Sequence, residues 1–131
     1  MNITAIAFVG HPITDLARAR RFYETVLGLR ETLCHPLDQT GDQFWIEYDV
    51  GAEHCLAISN VWEPAGQPGG PTVALEVDDL DRAYAELESA GAVDPEMPGI
   101  MESPVCRYCF ALDPDRNPLM LHQRKRTSVE E

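Results

Sequence analysis

The sequence has few basic residues and no long apolar segment. Lysine and arginine together number 10 against 22 acidic residues, so the formal net charge is −12 at pH 7. Such a surface repels the phosphates of nucleic acids and of anionic lipids, and we expect neither a nucleic-acid nor a membrane partner. No run approaches the roughly 18 consecutive apolar residues that suit a membrane-spanning helix.

Export signals and cysteine-based sites are also missing. Residues 1–9 contain neither the basic start nor the small-residue cleavage site of a signal peptide, so we expect a cytoplasmic protein. The four cysteines are then expected to be reduced thiols. Cys106 and Cys109 lie within one predicted strand, where residues three apart point to opposite faces, which argues against a zinc or redox site.

The two halves of the chain repeat each other at an offset of 64 residues. In each half an apolar, strand-like run is followed by an Asp-Leu pair and then by apolar residues at helical spacing. We expect Asp15 (or Thr14) and Asp79 to cap the helix N-termini. Gly28 and Gly91 are expected to end the helices in the left-handed conformation.

Each half is therefore predicted to contain, in order, one strand, one helix and three strands. The predicted strands are 3–9, 30–34, 43–50 and 54–60 in repeat 1 (about 3–60), and 72–77, 97–101, 105–112 and 118–123 in repeat 2 (about 72–123). A linker rich in Pro and Gly, 61–71, joins the repeats, and a polar tail, 124–131, follows them. We predict an α+β fold in which two βαβββ modules form a single domain, 1–131, because neither module buries both sheet faces alone.

This plan and its motifs resemble the vicinal oxygen chelate (VOC) superfamily, which includes glyoxalase I, bleomycin-resistance proteins and extradiol dioxygenases. The resemblance covers about 3–123 and is carried by PITDLARARRFYETVLGL (12–29), VALEVDD (73–79) and DPDRN (113–117). It implies a curved mixed sheet around a cavity and, by analogy, a homodimer. The family usually has Gly where Arg116 stands; if this residue is left-handed, Arg costs on the order of 1 kcal/mol relative to Gly.

The resemblance also implies where a metal ion would be held. Metal-dependent members place His, Glu or Gln at four inward-facing strand positions, and the ion polarises a substrate carbonyl or stabilises an enediolate. In this chain those positions carry Phe8, Leu56 or Ala57, Thr72 and Met120. None offers an imidazole or a carboxylate, so we expect no metal site and no cofactor, with a divalent ion at a displaced site as the alternative.

Other polar residues are candidate catalytic groups. Alternation places His122 on the same sheet face as Met120, where it would be a hydrogen-bonding group or a general base if it is not a rim histidine. Glu76 and Glu47 could move protons if they face the cavity, where their pKa would be raised; otherwise they face water. His11 is expected near a strand end, at the surface.

Aromatic side chains on the predicted strands, together with Trp62 at the start of the linker, either line an apolar pocket or belong to the core. Trp62, Tyr48 and Phe110 are among those that could do either. The residues that we predict to contact a ligand are Phe8, Trp45, Thr72, Tyr108 and Met120.

Two classes of function remain open. One is a metal-free, glyoxalase-like member that binds a small organic molecule, akin to the bleomycin-resistance type. The other is a lyase, isomerase or dioxygenase relative that uses a displaced metal site or His122 with a glutamate. The missing ligand set favours the binding protein, because the chemistry of the family depends on a Lewis acid.

Overall fold

The structure is a computed structural model that describes residue 2, residues 6–66 and residues 72–125. The chain divides into two compact units, Met1–Gly66 and Gln67–Glu131. The division falls within the segment predicted as a linker, whose residues 67–71 lie outside the described residues. The same holds for residues 3–5 of the predicted first strand and for residues 126–131 of the predicted tail.

The first unit forms one four-stranded mixed sheet. Its elements are β1 (Val9–Pro12), α1 (Leu16–Arg20), a π-helical segment (Arg21–Val26), β2 (Arg30–Pro36), β3 (Phe44–Val50) and β4 (His54–Ser59). The strand order is β1-β4-β3-β2, with β1 parallel to β4 and the other pairs antiparallel.

The second unit repeats this plan. Its elements are β5 (Val73–Glu76), α2 (Leu80–Ser89), β6 (Met101–Glu102), β7 (Cys106–Leu112) and β8 (Pro118–Arg124). The strand order is β5-β8-β7-β6, with β5 parallel to β8. The predicted βαβββ order is confirmed in both units.

The helices begin and end as the repeated motifs predict. Asp15 and Asp79 each accept the backbone N–H three residues further on, at 2.9 and 3.1 Å. Gly28 and Gly91 follow the helical segments with φ of 71° and 66°. Arg116 also has a positive φ, 67°, in the left-handed region that disfavours a side chain.

The prediction of the first strand is wrong for residues 6–8. The strand pairs with β4 from Val9 to Pro12, whereas residues 6–8 lie outside the sheet. The apolar run before Val9 indicated the strand, but the position of the hydrogen-bonding partner determines it. His11 is consequently inside this strand and buried, not at the surface, and its Nδ1 lies 2.6 Å from the hydroxyl oxygen of Tyr23.

The first helix differs from its prediction as a regular α-helix. From Arg21 onward it widens, and the Leu27 N–H donates to the Phe22 carbonyl five residues back at 2.9 Å. Phe22 and Tyr23 are both buried, and the Tyr23 ring stacks on Tyr48 of β3 with 5.9 Å between centroids. The wider turn thus occurs where two adjacent aromatic side chains, Phe22 and Tyr23, are both packed into the core.

One face of each sheet packs against the helix of its own unit and forms the core. These buried residues are Ile46, Tyr48, Leu56 and Ile58 in the first unit, and Leu75, Cys109, Ala111, Leu119 and Leu121 in the second. Because strand side chains alternate, the other face carries the remaining residues, several of them partly exposed. Within the described part of the chain, no helix has the length and hydropathy to cross a membrane.

Candidate functional site

The sheet face of the first unit that points away from α1 carries an aromatic cluster formed by Phe8, Trp45 and Trp62. The ring centroids of Phe8 and Trp45 are 5.1 Å apart, and those of Trp45 and Trp62 are 5.3 Å apart, both edge to face. Phe8 is 41% and Trp62 38% exposed. The cluster therefore presents aromatic surface that a ligand could cover.

Gly10 of β1 makes room for this cluster. A Cβ at Gly10 would lie 2.6 Å from Cη2 and 2.8 Å from Cζ3 of Trp62, closer than any real contact. The Trp62 ring consequently lies directly against the backbone of β1. Only glycine at this position leaves the ring where it is.

Glu47 lies on the same strand and face as Trp45. Its Oε2 accepts the indole N–H of Trp45 at 2.8 Å. The thiol of Cys55, on the neighbouring strand, has a raised pKa, first through burial and then through the charge of Glu47 and a hydrogen bond with it. Among the described residues no Lys, Arg or His forms an ion pair with Glu47.

In the second unit, the face that points away from α2 brings His122 and Glu76 together. They are direct partners in the parallel β5–β8 pair, and His122 Nδ1 lies 2.5 Å from Glu76 Oε1. The backbone N–H of Arg124 donates to the other carboxylate oxygen at 2.8 Å. Glu76 thereby fixes the orientation of the imidazole and directs Nε2 away from itself.

The pKa of Glu76 is lowered, whereas a carboxylate that faces a cavity was predicted to have a raised pKa. Burial acts in that direction, but the Arg124 N–H and then the hydrogen bond and charge of His122 outweigh it and hold the pKa below its ordinary value of 4.5. The Glu76 side chain is 58% exposed, and burial, although the largest single influence on its pKa, does not exceed these contacts together. Glu76 is therefore suited to orient His122 and not to donate a proton.

The other candidates of the second unit surround this pair. Tyr108 is the register partner of His122 on β7, and its ring lies 5.7 Å from that of Phe110. Met120 pairs with Phe110 one row further along the same face. Thr72 is exposed and immediately precedes β5.

The predicted site residues thus fall into two groups, one in each unit. The first group lies together in the first unit and consists of Phe8, Trp45 and Glu47. The second group lies on one sheet face of the second unit and consists of Glu76, Tyr108, Met120 and His122, with Thr72 immediately before β5. Trp62 belongs to the first group, although the sequence placed it in the linker. Gly10 was not predicted at all, and its position against Trp62 and Phe8 became visible only in the folded structure.

The sheet register decides which residue of β4 occupies one of the four positions that the family resemblance assigns to metal ligands. Leu56 packs on the helix side, whereas Ala57 shares a face with Glu47, so Ala57 is the position on β4. With Phe8, Thr72 and Met120 it offers no imidazole, carboxylate or thiolate, and these side chains do not fit a divalent metal ion. Nowhere in residues 6–66 and 72–125 do three or more His, Cys, Asp or Glu side chains lie together to hold one.

A family model matches most of the chain. It is described as the Glyoxalase/Bleomycin resistance protein/Dioxygenase superfamily, and it matches residues 5–121. No protein with curated annotation matches the sequence significantly.

Several solved structures share the fold. TnmS3, described as an antibiotic binding protein from Streptomyces sp. CB03234, is 26% identical with a TM-score of 0.73, over 95% of this chain and 99% of that one. The fosfomycin resistance protein FosX from Mesorhizobium loti is 21% identical with a TM-score of 0.70, over 98% of both chains. A glyoxylase/bleomycin resistance protein/dioxygenase domain from Frankia sp. EAN1pec is 18% identical with a TM-score of 0.72, also over 98% of both.

Proposed function

Since this chain belongs to the glyoxalase/bleomycin resistance protein/dioxygenase superfamily, we propose that it binds a small organic molecule, as the bleomycin-resistance type does, and does so without a metal ion. The ligand would lie on the sheet face of the first unit that points away from α1. The aromatic cluster with Glu47 in the first unit is the observation that carries this proposal.

The chemistry of the cluster suits a planar ligand. Two indoles and a phenyl ring offer stacking surfaces, and each aromatic contact contributes about 0.5–1.5 kcal/mol beyond the area that it buries. Binding sites for small molecules combine such surfaces with a few polar groups that fix orientation. Here Glu47 and the indole N–H of Trp45 are those groups.

The comparison with TnmS3 supports the same class of function. That protein is described as antibiotic binding, and the likeness covers nearly the whole of both chains. It supports a binding role for this chain and leaves the identity of the ligand open.

We further propose a cytoplasmic homodimer. All four cysteines are free thiols, which is typical of a reducing compartment. The homodimer is proposed by analogy with similar proteins. Light scattering coupled to size exclusion measures the mass directly, and a mass of one chain at micromolar concentration would contradict the homodimer.

A thermal-shift screen of planar aromatic compounds tests the proposed binding. A ligand at 100 times its Kd stabilises the folded state by about 2.7 kcal/mol, which raises the Tm by several degrees. Trp62→Ala should abolish the shift, whereas Val105→Ala, which removes an exposed apolar side chain of the second unit, should leave it unchanged. A ligand that still raises the Tm of the Trp62→Ala and Trp45→Ala variants would contradict the aromatic cluster as the binding site.

The contact between His122 and Glu76 favours a second candidate function, acid–base catalysis. In this role His122 is the general base, and Glu76 positions it. Mass spectrometry of each binding compound after incubation with the protein tests it. Conversion that is lost in His122→Asn while binding persists would support an enzyme, and unchanged compounds would count against it.

A further inference from the structure

Glu47 is a partly buried acid of the first unit that forms no ion pair with another described residue. On the helix side of the sheet, Glu24 and Glu31 both pair with Arg20, at 3.3 and 2.8 Å. Within residues 6–66, no Lys, Arg or His side chain does the same for Glu47. Arg20 therefore neutralises two carboxylates on the helix side of the sheet, whereas the carboxylate beside the aromatic cluster has no such ion pair among the described residues.

The neighbours of Glu47 on this sheet face are uncharged. Its register partners are Ala57 on β4 and Leu33 on β2, and Leu33 is 45% exposed. Its protein partners are the indole N–H of Trp45 and the thiol of Cys55, and both are uncharged. Partial burial of a carboxylate without a cation carries a desolvation cost that a positively charged ligand would offset.

The aromatic cluster favours the same ligand charge. The face of an indole attracts a cation that lies within about 6 Å of the ring centre, and tryptophan does so most strongly among the side chains. The hydrogen bond from Trp45 holds the Glu47 carboxylate 2.8 Å from an indole nitrogen, so one cation can contact both groups. The net charge of −12 also attracts cations to the surface.

We infer that the ligand of this site is a planar organic cation, such as an N-alkylated heteroaromatic ring, whose ring packs on Trp45 and Trp62 and whose charge pairs with Glu47. The inference rests on the proposed small-molecule binding and adds the charge of the ligand to it. No bond is made or broken.

The test compares two probes of nearly equal shape, N-methylquinolinium, which is a cation, and quinoline, which is uncharged at mildly alkaline pH. Trp45 and Trp62 are the only tryptophans among the 131 residues, so the two indole N–H signals in a ¹H–¹⁵N spectrum report on this site alone. Both signals should shift with either probe, and the cation should bind at least about fivefold more tightly.

Glu47→Gln separates charge from shape, because the amide oxygen still accepts the Trp45 N–H. This variant should lose the preference for the cation, bringing the two affinities within about twofold, and should keep the affinity for quinoline. Glu53→Gln is the matched control: it removes the same charge from an exposed residue of the same unit, and it should keep the preference.

The outcomes distinguish the two proposals. Equal binding of both probes to the wild-type protein, or a preference that survives Glu47→Gln, overturns the inferred ligand charge and leaves the binding function standing. Failure of both probes to shift either indole signal overturns the aromatic site itself and the inference with it.

Discussion

The indole N–H of Trp45 donates a hydrogen bond to Glu47 two residues further along β3, at 2.8 Å. Alternation along the strand puts both side chains on the face that points away from the helix. This contact joins the exposed aromatic surface of the first unit to a carboxylate without an ion-pair partner among the described residues. The proposed binding function and the inferred ligand charge both depend on it.

The close approach of Trp62 to Gly10 predicts a strong coupling between these positions. Gly10→Ala should destabilise the protein by about 1 kcal/mol, because the new Cβ displaces the far edge of the Trp62 ring. In a Trp62→Leu background the atoms that clash are absent, and the same change should cost little. Urea unfolding of the four proteins measures the coupling. An equal cost of Gly10→Ala in both backgrounds would show that the contact is not what restricts this position.

The repeat explains why much of the fold could be predicted from the sequence. Caps and helix ends depend on local chemistry, and the signals at Asp15, Asp79, Gly28 and Gly91 are each confirmed. The first strand could not be placed correctly, since its bounds depend on pairing with β4, which lies more than forty residues away.

The candidate site was harder to predict than the fold, because it too depends on contacts between residues that are far apart in the sequence. Alternation correctly placed His122 and Met120 on one face, but the contact with Glu76 follows from the pairing of β5 with β8. The direction of the Glu76 pKa depends on a backbone N–H, that of Arg124, which no side-chain pattern reveals. The contribution of Trp62 follows from the packing of its ring against Gly10 after the end of β4, which no local sequence pattern reveals.

The left-handed backbone of Arg116 predicts that glycine stabilises the protein at this position. Arg116→Gly removes the Cβ strain at φ 67° and should raise the free energy of unfolding by up to about 1 kcal/mol. Arg116→Ala is the matched control, since it removes the side chain and keeps the Cβ. If chemical denaturation shows the same rise in the free energy of unfolding for both variants, the backbone conformation of Arg116 is not the cause of that rise.

The lowered pKa of Glu76 predicts a pH-dependent contribution to stability. Because folding lowers this pKa, the contribution is complete above the ordinary value of 4.5 and is lost as the pH falls through the folded-state value. Glu76→Gln should therefore be less stable than the wild type near neutral pH, and the gap should close in acid. Since the side chain is more than half exposed, the gap should stay below about 1 kcal/mol.

Urea unfolding at neutral and at acidic pH measures this gap, with Glu88→Gln on the exposed surface of α2 as the control. The control should differ from the wild type equally at both pH values. A gap for Glu76→Gln that is unchanged or widens in acid would show that the carboxylate is not stabilised by folding.

The residues at the four metal positions predict that a chelator has no effect on the folded protein. Protein prepared without chelator or metal-affinity steps should contain Zn, Ni, Mn and Fe well below one ion per chain, and its Tm should not change after dialysis against EDTA. Elemental analysis and calorimetry measure these quantities. Stoichiometric metal that is lost on mutation of His122 or Glu76 would contradict the expectation and favour a displaced metal site.

The side chains at the four metal positions also predict that the protein has no glyoxalase activity. The hemithioacetal of methylglyoxal and glutathione should not be turned over above background, because that reaction depends on a Lewis acid. A spectrophotometric assay with and without added divalent metal checks this, and a metal-dependent rate would contradict it.

Tryptophan emission tests the location of the binding site most directly, because both tryptophans of the chain lie in the aromatic cluster. For a compound that stabilises the protein in the thermal-shift screen, emission should change saturably and give the same Kd as calorimetry. Calorimetric binding with unchanged emission would mean that the ligand binds elsewhere, and the aromatic cluster with Glu47 would not be the site.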